Sequence, residues 1–140
     1  MTTTTLDTPL IKRALVAVTL VGTLLLAACS SSSSAIQTVD PQAFLTTAAQ
    51  PGVTVVDVRT PDEYAAGHLE GAVNMNVEGP DFSTQIATLS KSGTVAVYCH
   101  SGRRSAIAAD QLASSGFTSI VNLKGGIADL QAASGVIVAS

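Results

Sequence analysis

Two short runs of apolar, mostly β-branched residues place the strongest constraint on the fold. Residues 53–58 read Val-Thr-Val-Val-Asp-Val, and residues 94–98 read Thr-Val-Ala-Val-Tyr. Near-continuous apolar runs of this length are typical of strands that are covered on both faces of a parallel sheet. Parallel neighbours need a crossover connection, usually a helix, so the two runs predict an α/β domain.

Signals for helix starts lie between the predicted strands. Asp40-Pro41 and Thr60-Pro61 each combine an N-cap residue with a proline at the first helical position. The expected fold is a three-layer α/β domain over residues 36–140, without an internal repeat or a second domain, in which right-handed crossovers join parallel strands. We predict strands at 36–39, 53–58, 72–75, 94–98 and 119–122, and helices at 41–49, 61–67, 80–90, 105–114 and 127–133.

The N-terminal segment differs from the rest of the chain. Lys12-Arg13 precedes an uncharged apolar run at residues 14–28, which ends in small residues before Cys29. This order is typical of a secretory signal, and the run is shorter than the roughly 20 residues of a membrane-spanning helix. Leu26-Ala-Ala-Cys29 resembles the lipobox of bacterial lipoproteins. That resemblance implies that residues 1–28 are removed, that Cys29 carries a diacylglycerol, and that residues 29–35 form a flexible serine-rich tether. An ordinary signal with a chance cysteine is the alternative.

The predicted signal and the charge of the chain limit its partners. We expect a monomer at the extracytoplasmic face of the cell membrane, held there through its N-terminal lipid. The formal net charge of the 140 residues is −3, whereas a nucleic-acid-binding domain usually carries a basic patch or stripe. Nucleic acid is therefore not an expected partner.

Cys99 is one of two cysteines in the chain. If Cys29 carries lipid, no intramolecular disulfide can form, and an unpaired cysteine in an exported protein is either reactive or intermolecular. A buried structural cysteine that packs as a small apolar residue is the alternative. Because five polar or glycine residues follow Cys99, we expect a loop thiol that contributes little to the core, so Cys99→Ser should fold normally.

The residues that follow Cys99 favour its ionised form. Cys99 directly follows the second apolar run, and ligands bind at the carboxyl ends of strands in open α/β sheets. Ser101 and Gly102 are small enough for backbone N–H groups to converge as an anion-binding nest, next to the N terminus of the predicted helix. Arg103 and Arg104 add two positive charges. The sequence therefore predicts a lowered pKa of Cys99 and a site for a dianionic substrate beside the sulfur.

Four segments of the chain together resemble one known family. The segment Tyr98-Cys-His-Ser-Gly-Arg-Arg-Ser105 resembles the active-site loop of rhodanese domains. Three further segments resemble other characteristic parts of that family, namely Asp57-Val-Arg59-Thr-Pro-Asp-Glu63-Tyr, Gly67-His68-Leu-Glu-Gly71-Ala-Val-Asn74 and the closing glycine turn Leu123-Lys-Gly-Gly-Ile127. Order and spacing match throughout, so the resemblance covers essentially the whole predicted domain.

The resemblance implies a five-stranded parallel sheet flanked by helices and a sulfur-transfer reaction in two steps. The Cys99 thiolate would attack the outer sulfur of an anionic, thiosulfate-like donor, and the resulting persulfide would pass its sulfur to a thiol or to cyanide. The loop would cradle the persulfide without a metal or an organic cofactor, and Arg104 would help to bind the donor. The residues of the cradle are His100, Ser101, Gly102, Arg103, Arg104 and Ser105, although a solvated, outward Arg103 is an equal alternative.

Several charged residues near the loop have structural interpretations. Asp57 and Arg59 lie at the end of a strand beside the loop, where they could position the loop without contacting the substrate. Our preferred interpretation for Arg59 is an ion pair with Glu63, four residues later. His68 is interpreted as a hydrogen-bonded structural residue. A metal site is not predicted, because Cys99 and the histidines lack the paired spacing of metal ligands.

Three other functions compete with sulfur transfer. Cysteine-dependent phosphatases that share this fold carry an arginine six residues after the cysteine, where this chain has Ser105, so phosphatase activity is not expected. A non-catalytic, rhodanese-like binding module usually lacks the cysteine, and the presence of Cys99 argues against that function. An extracytoplasmic thiol-redox protein is the third alternative, and it would need an external thiol because the mature domain has no resolving cysteine.

Overall fold

A five-stranded parallel sheet forms the centre of the computed structural model, which describes residues 34–140. Within this range the strands are β1 (Ile36–Val39), β2 (Val53–Asp57), β3 (His68–Leu69), β4 (Val73–Asn74), β5 (Thr94–Tyr98), β6 (Ser119–Leu123) and β7 (Ile137–Val138). The sheet has the order β1-β6-β5-β2-β4, and all of its neighbours are parallel. The two apolar runs, β2 and β5, therefore lie side by side at its centre, as their composition predicts.

Five helices connect the strands of the described part of the chain. They are α1 (Pro41–Ala48), α2 (Pro61–Ala66), α3 (Phe82–Ile86), α4 (Arg103–Ser114) and α5 (Ile127–Ala132). The predicted starts of the first two are confirmed, because the Ala43 N–H donates to the Asp40 carboxylate at 2.9 Å and Thr60 and Glu63 form a capping box at α2.

The core has two layers, one on each face of the sheet. Successive residues of β5 point to opposite faces. Val95 and Val97 pack with side chains of α3 and α4, whereas Ala96 and Tyr98 pack with side chains of α1 and α5. The predicted three-layer α/β architecture is therefore confirmed.

Three features of the fold differ from the sequence prediction. Helix α3 spans only Phe82–Ile86, whereas the sequence predicts a helix at 80–90. α4 begins at Arg103 instead of residue 105, because Gly102 has a left-handed φ of +98° and turns the chain directly into the helix. β3 and β7 form a small antiparallel ribbon in which Leu69 lies opposite Ile137, and we predicted neither strand. Two-residue strands carry no readable periodicity, and their pairing depends on contacts between distant parts of the chain.

The predicted signal segment, residues 1–28, and Cys29 lie outside the described residues. Among residues 34–140, no helix has the length and apolar character that crossing a membrane requires.

Candidate active site

The loop between β5 and α4 folds back over the sulfur of Cys99. The Gly102 N–H donates to Cys99 Sγ at 3.0 Å. The positive φ of Gly102, which a residue with a Cβ rarely adopts, makes this reversal possible. At the start of α4, the Ser105 hydroxyl donates to the Gly102 carbonyl at 3.1 Å and holds the turn closed. The predicted concave loop is thus present around the sulfur.

Cys99 is more deeply buried than we predicted. Its exposed fraction is 0%, and it packs in the same layer as Val95 and Val97. The expectation that it contributes little to the core is therefore wrong. The alternation of β5 continues for one residue beyond the strand, so the side chain of Cys99 points to the same face as Val95 and Val97.

The backbone around Cys99 stabilises the thiolate despite this burial. Burial is the largest single influence and opposes ionisation of the thiol. The polar groups around Sγ, namely the backbone N–H groups of Ser105, Ser101 and Gly102 and the Ser105 hydroxyl, together outweigh it. The pKa of Cys99 is therefore lowered from its ordinary value, which agrees with the sequence prediction.

The closing glycine turn holds the loop from the opposite side. The Ile127 N–H donates to the Cys99 carbonyl at 3.0 Å. Gly126 lies so close to the His100 carbonyl that a Cβ at residue 126 would overlap it. The Gly126 backbone is extended, so this close approach, and not an unusual φ, requires glycine.

Arg104 is held by two carboxylates. Its two Nη atoms donate to the two Glu63 carboxylate oxygens at 2.7 Å each, and Nη1 lies 3.4 Å from Glu78 Oε2. These contacts leave the Arg104 side chain 14% exposed and raise its pKa, chiefly through the hydrogen bonds to Glu63. Arg103, which is 75% exposed, points outward, and its Nη2 lies 3.8 Å from Glu78 Oε1. The solvated alternative therefore describes Arg103.

The predicted ion pair between Arg59 and Glu63 is wrong. The Arg59 Nη2 atom donates to Asp57 Oδ2 at 2.6 Å and to the Gly67 carbonyl at 2.6 Å, and Nε donates to Asp57 Oδ1 at 3.0 Å. Arg59 precedes the N-cap Thr60, so its spacing from Glu63 is not a spacing within a helix. Glu63 instead caps its own helix and pairs with Arg104.

The buried pair of Asp57 and Arg59 supports the strand that leads to the loop. The Arg59 guanidinium lies 5.9 Å from the centre of the Tyr98 ring, directly before Cys99. The Tyr98 hydroxyl accepts the Leu69 N–H at 2.9 Å. Burial, followed by the Asp57 charge, raises the pKa of Tyr98, so this residue stays neutral. The predicted supporting position of Asp57 and Arg59 thus corresponds to contacts behind the loop.

The two histidines lie in different surroundings. His68 is buried, its ring stacks on Tyr64 with 3.6 Å between centroids, and Nδ1 lies 2.9 Å from the Tyr64 carbonyl. The structural interpretation of His68 is therefore confirmed. The side chain of His100 is exposed. Within residues 34–140, no three His, Cys, Asp or Glu side chains come together as metal ligands do.

Sequence reasoning missed Glu78 and the role of Gly126. Glu78 lies in an irregular connection before α3, where no pattern of residues shows which way a side chain faces. The sequence predicts only a turn at the double glycine, because the packing of Gly126 against the loop depends on the tertiary fold. A cavity of about 420 Å³ between α1 and the segment after α5 lies elsewhere and includes Leu45, Glu70 and Val136 but no nucleophilic thiol.

Several known proteins resemble this chain. A family profile described as the rhodanese-like domain matches residues 40–133, which is more than half of the chain. The senescence-associated protein DIN1 of Raphanus sativus is 35% identical over 88 residues, covering 56% of this chain and 48% of that protein. The thiosulfate sulfurtransferase PspE of Escherichia coli is 36% identical over 75 residues, covering 54% of this chain and 71% of that protein. A relative from Nitrobacter winogradskyi, 36% identical over 93 residues, is named a tRNA uridine(34) hydroxylase and is covered over 36% of its length.

A solved structure has the same fold. The solution NMR structure of a rhodanese-like domain from Anabaena matches with a TM-score of 0.64 and 30% identity, covering 74% of this chain and 79% of that chain. The chain spans about half the length of DIN1, so the activity of a whole relative does not transfer with the match. The family profile, the sequence relatives and the parallel sheet with its cysteine loop all indicate the same family. The chain belongs to the rhodanese-like domain family.

Proposed function

We propose that this chain is a sulfurtransferase that carries sulfur as a persulfide on Cys99. The observation that supports this most strongly is the convergence of backbone N–H groups on a thiol whose pKa is lowered. A persulfide is also an anion, so the groups that stabilise the thiolate would stabilise the sulfur-loaded form. The resemblance of the chain to a thiosulfate sulfurtransferase supports the same reaction.

In the first step the Cys99 thiolate attacks the outer sulfur of a thiosulfate-like donor. A bond forms between Sγ and that sulfur, the sulfur–sulfur bond of the donor breaks, and its electron pair leaves with sulfite. In the second step an acceptor thiolate or cyanide attacks the outer sulfur of the persulfide, and the Cys99 thiolate is restored. Dividing the transfer in this way is nucleophilic covalent catalysis. No metal or organic cofactor is part of the proposal.

The loop residues have distinct roles in this reaction. The backbone of His100, Ser101 and Gly102 would hold the developing charge, and Ser105 would stabilise the thiolate through its N–H, and through its hydroxyl when that turns from the Gly102 carbonyl to the sulfur. Arg104 would attract the donor, although each of its Nη atoms already donates one hydrogen bond to Glu63.

The burial of Cys99 argues against a general thiol-redox role. Sulfenic acid formation and disulfide exchange are favoured at accessible thiols, and often at thiols with a neighbouring resolving cysteine. Cys99 is fully buried and is the only cysteine within residues 34–140. A small donor that enters the loop is a better match to this site than a protein disulfide. The intact loop likewise favours catalysis over a purely binding role.

Intact-mass measurement tests the proposal directly. The purified protein and Cys99→Ser would each be incubated with thiosulfate, and cyanide would then be added while thiocyanate is followed. We expect one added sulfur on the wild type alone, discharged by cyanide. A folded wild type with a reduced thiol that gains no sulfur from thiosulfate or from a low-molecular-weight persulfide would overturn the proposal.

We also propose that a lipid on Cys29 holds the domain, as a monomer, at the extracytoplasmic face of the membrane. The support is the signal-like composition of residues 1–28 and the lipobox-like Leu26-Ala-Ala-Cys29. In cells that process lipoproteins, the wild type should sediment with membranes and carry the mass of the lipid, whereas Cys29→Ala should do neither. A wild type without added lipid mass would contradict this assignment, and sedimentation in detergent would test the monomer.

A further inference from the structure

The two arginines that follow the loop, Arg103 and Arg104, are both paired with carboxylates. The Glu78 carboxylate faces both arginines, since Oε1 lies 3.8 Å from Arg103 Nη2 and Oε2 lies 3.4 Å from Arg104 Nη1. Glu63 holds both Nη atoms of Arg104 at 2.7 Å. The formal charges of these four side chains cancel. The attraction that two arginines would exert on a dianion is therefore largely offset at this rim.

The two carboxylates differ in how firmly they are fixed. Glu63 belongs to the capping box of α2, and its side chain is 32% exposed. Glu78 is 52% exposed, and within residues 34–140 its carboxylate contacts only the two arginines. Its backbone N–H donates to the Asn76 side chain at 3.1 Å, in a turn that does not depend on the carboxylate. Removing the Glu78 charge should therefore change the electrostatics of the rim and leave the fold intact.

We propose that Glu78 determines the charge selectivity of the donor site. This inference rests on the proposed sulfurtransferase function. The energy of a charge in a given potential is proportional to that charge, so the Glu78 carboxylate opposes a dianionic donor twice as strongly as a monoanionic donor. Glu78 thus shifts the preference of the site away from thiosulfate and toward sulfur donors that carry a single negative charge.

Two donors that share a reacting group but differ in charge show the effect of donor charge separately from the effect of the reaction itself. Thiosulfate is a dianion that releases sulfite, and methanethiosulfonate is a monoanion that releases methanesulfinate. In both cases the Cys99 thiolate takes the outer sulfur, and the electron pair of the broken sulfur–sulfur bond leaves with the other product. The kcat/KM of each donor would be measured with cyanide as acceptor at low salt, for the wild type and for Glu78→Gln.

We expect Glu78→Gln to raise the ratio of kcat/KM for thiosulfate to that for methanethiosulfonate about two- to five-fold, the range of an exposed ion-pair interaction. The increase should shrink in high salt, because exposed charges are screened. Glu70→Gln is the matched control, since it removes an exposed glutamate that lines the cavity between α1 and the segment after α5 and forms no ion pair with Arg103 or Arg104. This control should leave the ratio at its wild-type value.

The outcomes separate this inference from the function on which it rests. If both donors load Cys99 and the ratio in Glu78→Gln equals that of the wild type, the selectivity role of Glu78 is overturned while sulfur transfer stands. An equal rise in Glu70→Gln would also overturn it, because the effect would then be one of net charge. If neither donor loads a folded, reduced wild type, the failure lies with the proposed function.

Discussion

Cys99 combines burial with a lowered pKa, although burial by itself raises the pKa of a thiol. Its side chain is closed off from solvent by the core on one side and by the loop on the other. The backbone N–H groups of the loop replace the water that a thiolate would otherwise need. A nucleophile of this kind is stabilised without being open to large electrophiles, which favours small donors.

The lowered pKa of Cys99 determines the expected pH dependence of persulfide formation. The folded protein stabilises the Cys99 thiolate, so the pKa of this thiol is lower in the folded than in the unfolded state. The stabilisation is fully present above the unfolded pKa and is lost as the pH falls through the folded pKa. The rate of sulfur loading should therefore rise with pH, with a midpoint below the ordinary thiol pKa of 9.0. Intact-mass measurement of samples quenched at fixed times, repeated across the pH range, would give this midpoint.

Ser105→Ala tests whether the Ser105 hydroxyl helps to lower the pKa of Cys99. The variant removes this hydroxyl, together with its hydrogen bond to the Gly102 carbonyl, but keeps the backbone N–H groups. Its midpoint should move to higher pH, and its rate well above the midpoint should stay close to that of the wild type. A midpoint that does not move would mean that the backbone N–H groups alone stabilise the thiolate.

At the scale of the element, the loop is shaped by a turn that lies far from it in sequence. The turn before α5 touches the His100 carbonyl through Gly126 and bonds the Cys99 carbonyl through Ile127. The loop is thus held between its own helix and a second connection. The geometry of the loop depends on both, so a substitution in the turn should change the reactivity of the Cys99 thiol.

Gly126→Ala should displace the loop, because its Cβ would overlap the His100 carbonyl. We expect a loss of about 1–3 kcal/mol in the free energy of unfolding, as for other overpacked sites, with sulfur loading reduced at least ten-fold. Gly93→Ala is the control, since a Cβ there would meet only ordinary contacts at 3.5 Å or more. Urea unfolding and loading rates would be compared, and equal losses in the two variants would refute the role of the close approach.

The buried pair at the end of β2 should be the most sensitive ionic contact of the domain. Arg59→Ala leaves the Asp57 carboxylate buried without its partner, which costs about 3–5 kcal/mol in comparable sites. Replacing both residues, as in Asp57→Asn with Arg59→Leu, removes the unpaired charge and should recover part of the stability. Urea midpoints of the single and double variants test this, and a double variant that is less stable than Arg59→Ala would contradict it.

Across the whole molecule, the ion pair of Glu63 and Arg104 joins the start of α2 to the start of α4. The Arg104 hydrogen bonds lower the pKa of Glu63 from 4.5 to about 2, and the capping bonds of Thr60 act in the same direction while burial opposes them. This stabilisation is fully present above pH 4.5 and is lost as the pH falls toward 2.

Glu63→Gln keeps a side chain that can cap α2 and removes the charge. We expect the variant to be about 1 kcal/mol less stable near neutral pH, a modest value because Glu63 is partly exposed. The difference from the wild type should narrow as the pH falls below 4.5. Urea unfolding between pH 3 and 7 measures this, and a constant difference across that range would show that the charge is not the cause.

The sequence predicts the parts of this fold that depend on local signals. The β2 and β5 runs, the N-caps before α1 and α2 and the polar loop after Cys99 each carry their own pattern, and the structure contains them. The pairing of Arg59, the burial of Cys99 and the position of Glu78 depend on how separate segments meet. The spacing of Arg59 from Glu63 led to a wrong prediction, because residues four positions apart are neighbours only when both lie in the same helix.

The edge strand β1 has a consequence for how the chain is made. Its partner is β6, and Thr38 and Asn122, which bond each other across these strands, are separated by 84 residues. β1 leaves the ribosome early, yet the strand that it pairs with follows only when the domain is almost fully synthesised. Closing so long a connection is slow, so a parallel sheet of this order forms late. During synthesis β1 therefore stays without its partner strand until β6 has emerged.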